Sequence, residues 1–80
     1  MAVSEIDKDY LRLVHICDQI ESIIGGLRMA DTPDNEKKQV VGNCIMVLET
    51  EVIDDKYTTA GKDMDRINSV IATGRTYWKS

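Results

Sequence analysis

The stretch SEIDKDYLRLVHICDQIESIIGGL, residues 4–27, decides the fold. Ile6, Tyr10, Leu13, Cys17, Ile20, Ile24 and Leu27 recur at gaps of 4, 3, 4, 3, 4 and 3, which lines one stripe of an α-helix and matches a heptad seam. Ser4 ahead of Glu5 and Asp7 is a helix start, because its hydroxyl can accept an orphan amide and the acids meet the positive end of the dipole. Ile16 and Ile23 widen the stripe on one side and Val14 on the other, so this helix is expected to touch more than one neighbour. Each glycine of Gly25-Gly26 costs about 1 kcal/mol relative to alanine inside a helix, which weakens or ends it there.

Downstream, Asp31-Thr32-Pro33-Asp34-Asn35-Glu36 opens a second helix. Threonine is the expected N-cap, with proline at the first helical position and acids in the first turn. Val41, Ile45, Leu48 and Val52 form its seam, and Val40, Cys44, Met46, Val47 and Ile53 spread apolar surface around most of its circumference. Near Asp54–Thr59 a break is plausible, with Thr58 or Thr59 capping a third helix to about Thr73 and Gly74 terminating it. The alternative is one long helix from about Asn35 to Thr73, since Ile53, Tyr57, Ala60, Met64, Ile67 and Ile71 keep helical spacing with a displaced face. The tail Arg75–Ser80 is expected to fray or to dock on a partner.

The expected architecture is therefore all-α, a single helical domain over residues 1–80. It is an elongated hairpin of two long helices, or three helices, assembling into a helical bundle. A first helix reaching Leu27 is about 36 Å long, against a radius of gyration near 12 Å for a compact globule of this length. Chains this short bury only about 60–65% of their unfolded surface and need a staple of some kind. Two cysteines, Cys17 and Cys44, make no disulfide scaffold, and one histidine with no CxxC pair makes no zinc site. Self-association remains, because a stripe as wide as that of the second helix asks for cover from several sides. The apolar positions expected at an oligomer or partner interface are Ile16, Ile20, Ile23, Ile24, Val40, Val47, Ile53 and Trp78.

The charge of −4 is uneven. Residues 1–30 hold five acids against three bases, 31–57 seven against three, and 58–80 two against four. Nucleic-acid binding is disfavoured because the longest basic run is Lys37-Lys38. No apolar stretch approaches 18 residues, so no membrane span is expected. The start MAVSEIDKD lacks a basic region followed by an apolar run, and a cytoplasmic protein with reduced thiols is expected.

Chemistry finds little support. His15 occupies an outward heptad position, and Cys17, two residues on, points about 200° away around the helix, so the two form no catalytic pair within one chain. Glu51, Asp54 and Asp55 share a face, and Asp63 and Asp65 follow, but the alternating ligands and loop glycine of a calcium loop are absent and the set is a charged solvent face. No phosphate-cradling or HExxH motif occurs. The expectation is a non-enzymatic homo-oligomer without cofactor or metal, binding another protein as an accessory or inhibitor module. The alternative is an oligomer that sequesters a phosphorylated or nucleotide-like metabolite at subunit junctions. Its candidate ligand residues are Arg28, Lys37 and Lys38 near the second helix start, and Arg66, Arg75 and Tyr77 brought together between chains.

Overall fold

A computed structural model describes residues 4–53 and 55–80. It contains four helices, α1 Glu5–Ile24, α2 Asp34–Val52, α3 Lys56–Thr59 and α4 Asp65–Lys79, and no strand among the described residues. The three long helices pack into a slim bundle of 42 × 24 × 16 Å with a radius of gyration of 13.4 Å. That exceeds the roughly 12 Å of a compact chain this long, and the molecule is elongated, as the helix lengths require.

Helix α1 starts where the capping residues place it: the amide of Asp7 donates to Ser4 Oγ at 3.1 Å. It stops at Gly25, one turn short of Leu27, and Gly26 follows at φ +80°. Leu27 keeps the heptad phase yet lies outside the helix and is 84% exposed. Helix α2 begins one residue later than expected, with Pro33 rather than Thr32 in the capping position and no side chain on the orphan amides.

After α2 the chain breaks, as the first of the two readings expects and unlike one long helix, but the break is longer than expected and holds a short helix of its own. The short α3 closes on Gly61, which at φ +81° lets the Lys62 amide reach back to the Tyr57 carbonyl at 2.9 Å, the six-to-one bond of a Schellman end. Asp63 then turns the chain into α4, its Oδ1 accepting from the Asp65 amide at 2.9 Å, an Asx turn. Thr58 and Thr59 therefore lie inside α3 and cap nothing. Gly74, expected as a terminator, is buried in the middle of α4, and Arg75–Lys79 are helical rather than frayed.

The longer α4 accounts for the cover that a single chain was expected to lack. It runs antiparallel to α2, and glycines at the crossing allow close approach. A Cβ on Gly74 would stand 2.5 Å from Ile45 Cδ1, and one on Gly42 would stand 2.8 Å from the Trp78 indole. Leu13, Cys17, Ile20 and Ile23 of α1, Val41, Ile45 and Leu48 of α2, Tyr57 of α3 and Ile67, Val70 and Ile71 of α4 make one buried core. Ile6, Tyr10, Ile16, Ile24, Val40, Cys44 and Val52 pack half-buried on it. The wide stripes are thus filled largely from within one copy.

Candidate association surface

Burial divides the eight expected interface residues into three groups. Ile20 and Ile23 belong to the core of the single chain and are corrected from surface to interior, because α4 closes over them. Ile16, Ile24 and Val40 are half-buried against that core. Val47 and Ile53 are open, 44% and 87% exposed, and Trp78, 41% exposed, rests on its own chain at Gly42.

Of the exposed large apolar residues, Met46, Val47 and Ile53 lie together on the last turns of α2 and its cap, whereas Leu11, Leu27 and Trp78 lie elsewhere. At about 100° per residue, Met46, Thr50 and Ile53 fall within about 60° of one another, with Val47 beside them. Met46 is 59% exposed. The Thr50 hydroxyl donates to the Met46 carbonyl at 2.8 Å, which spends its polar atom on its own helix and leaves the methyl as the outward group. Met46, Val47, Thr50 and Glu51 line a shallow depression of about 300 Å³.

The edge of this strip is electrically closed. Glu51 accepts from Arg12 at 2.6 Å through Oε1 and from the Tyr57 hydroxyl at 3.3 Å through Oε2. The Arg12 guanidinium holds the Glu51 carboxyl below the usual carboxylate range, against a smaller opposing push from burial. The same network fastens α3: Lys56 pairs with Asp9 at 3.6 Å and sits over the Tyr57 ring, and Tyr10 meets Tyr57 at 6.5 Å between centroids. Lys62 lies over the Tyr10 ring and pairs with Asp7, and the Tyr10 hydroxyl donates to the Asp63 carbonyl at 2.6 Å.

Within one chain the candidate ligand residues are not brought together. Arg66 is held by Asp18 and Glu21, Arg75 by Glu49, and Lys37 by Asp34 at 3.2 Å. Lys38 donates to the Ser80 carbonyl at 2.8 Å, tying the end of α4 to α2. Tyr77 is half-buried on the core, and Arg28 stands exposed in the loop after α1. His15 is exposed on α1, and Cys17 is buried. Asp54 lies outside the described residues, and among those described no group of three acids, histidines or cysteines is placed to hold a metal ion. No helix of the described residues is long and apolar enough to cross a membrane.

Met46 and Thr50 are the surface residues that sequence reasoning did not single out. Methionine reads as one more apolar position on a broad stripe, and the threonine reads as polar until its hydroxyl is seen to be occupied. Comparison with protein families, curated proteins and solved structures finds no match to this chain.

Proposed function

We propose that the protein is a non-enzymatic helical module that works by association, forming homo-oligomers and regulating another protein by binding it. The observation that carries this reading is the group of open apolar side chains, Met46, Val47 and Ile53, gathered around Thr50 at the end of α2 and its cap. Exposed apolar residues scattered singly are ordinary, whereas a contiguous strip on a small domain marks a contact surface. The cysteines are unpaired, which suits a reducing cytoplasm as its setting.

The metabolite-sequestering alternative has less support. Arg66 and Arg75 already face carboxylates of their own chain, and a phosphate would have to displace those partners.

Sedimentation equilibrium from about 5 µM to about 500 µM tests the reading through mass action. The average mass is expected to rise above the 9.0 kDa of one chain, and immobilised wild-type protein is expected to capture a partner that a Met46→Asp variant does not. A single-chain mass throughout, with nothing captured that depends on Met46, would refute it.

A further inference from the structure

We infer that residues 55–64, with α3 at their centre, form a strap that lifts off α1 and closes again while α1, α2 and α4 stay packed. The charge pairs at its two ends set how often it opens. This device is a property of the single chain and goes beyond the association reading.

The strap is gripped by one buried side chain. Of its ten residues only Tyr57 is fully covered; Lys56, Lys62 and Met64 are half-buried, and the other six are exposed. Helix α4, by contrast, buries Ile67, Val70, Ile71 and Gly74. Segments with few buried apolar groups and an exposed backbone occupy the low end of local stability and open without the rest of the fold. The amides of Thr59, Ala60, Gly61 and Lys62 donate to the carbonyls of Asp55, Lys56, Thr58 and Tyr57 at 2.9–3.1 Å, all inside the strap. A helix of four residues does not persist on its own, so these four bonds last only while the strap is docked. Gly61, exposed at φ +81° between α3 and α4, supplies a joint, because glycine changes φ and ψ without the penalty of a Cβ.

The two ends of the strap are held by charge and by aromatic faces. Lys56 pairs with Asp9 at 3.6 Å and stands 5.0 Å from the centre of the Tyr57 ring. Lys62 pairs with Asp7 and stands 5.5 Å from the centre of the Tyr10 ring. Both acids lie in the first turns of α1, so two lysines from either end of α3 clasp one stretch of that helix. The four charged side chains are 28–42% exposed. Pairs so placed are individually weak and are screened by salt, whereas the apolar packing of the bundle is not. The strap and the bundle therefore answer to different forces.

Opening withdraws Tyr57 and leaves a socket of tyrosine size, bounded by Tyr10 of α1 and Glu51 of α2. Glu51 also lines the depression at Met46, Val47 and Thr50. The position of the strap thus sets how far that depression extends toward α1.

Residue-resolved hydrogen exchange of the full chain by nuclear magnetic resonance tests the device, with each rate divided by that of the unstructured peptide. In about 10 mM NaCl the amides of Thr59, Ala60, Gly61 and Lys62 are expected to exchange at least about tenfold faster than those of Leu48 and Val70. Raising NaCl to about 1 M shortens the screening length from about 30 Å to about 3 Å. That change should speed the four strap amides together by about threefold or more and leave Leu48 and Val70 unaltered. Lys56→Gln and Lys62→Gln each remove one pair, and each should speed all four strap amides alike at low salt. Strap amides that exchange in step with Leu48 and Val70, or that ignore both salt and the two variants, overturn the inference. So does a variant that speeds only the amides beside its own substitution.

Discussion

The indole of Trp78 rests on the backbone of α2 at Gly42, so closely that a Cβ built on that glycine would stand 2.8 Å from both Nε1 and Cε2. Gly42→Ala adds about 1 kcal/mol of helix propensity, yet it drives the indole outward, because a partly exposed side chain moves more easily than helix backbone. Trp78 is the only tryptophan, so its fluorescence reports the site directly. The expected outcome is a red-shifted emission maximum with no gain in Tm. Unchanged emission together with a raised Tm would show that the indole does not depend on the missing methyl.

Gly74 makes the same kind of contact inside the core. An alanine Cβ there would meet Ile45 Cδ1 at 2.5 Å and Ile20 Cγ2 at 3.5 Å. Overpacking a dense core costs about 1–3 kcal/mol, more than the propensity gained, so Gly74→Ala is expected to lower stability by about 1–2 kcal/mol. Ile45→Val removes the clashing Cδ1, and the double variant should be more stable in urea than the sum of the two single changes. Strict additivity would mean that the two side chains do not compete for the space.

Ile20 is fully buried between α1 and its neighbours. Ile20→Ala is expected to cost about 2–5 kcal/mol through lost transfer energy and a cavity, enough to unfold a marginal domain. Far-ultraviolet circular dichroism of the variant checks this, and a loss below about half a kcal/mol would contradict its place in the core.

Stability should fall on acidification. The carboxyl of Asp7 is lowered chiefly by Lys62 and then by Ser4, and that of Glu51 chiefly by Arg12. A group whose folded pKa is depressed contributes stability above its unfolded value and loses that contribution as pH falls through the folded one. The unfolded values of these residue types are about 3.9 and 4.3. Tm is therefore expected to be level near neutrality and to decline once pH drops below roughly 4.5. Arg12→Gln should flatten part of that decline by removing the cause of the Glu51 shift. An identical acid profile in wild type and Arg12→Gln would exclude the pair as its source.

The first helix was legible because its signals are local. A heptad stripe, a serine cap and a pair of glycines act within one or two turns, and α1 begins and ends accordingly. The second helix was legible for the same reason, with an error of one residue at its start. Between Ile53 and Asp65 legibility was partial: a break near Asp54–Thr59 was expected beside the alternative of one long helix, but the short α3 and the start of α4 at Asp65 were not. Gly61 in the left-handed region and the Asx turn at Asp63 break the helix there, and both residues are compatible with other conformations. Of the residues expected at an interface, Val47 and Ile53 are exposed, whereas Ile20 and Ile23 lie in the core.

The amino-acid sequence by itself determined that this chain is helical and elongated, where its first helix runs and where its second begins, because periodicity and capping are short-range properties of the backbone and its nearest side chains. Only the tertiary structure decided which apolar residues remain in water. That outcome depends on how closely α4 approaches α2, which Gly42 and Gly74 permit by the absence of a Cβ. An absent atom leaves no periodic mark in a sequence, and its effect exists only when a second helix is there to occupy the space.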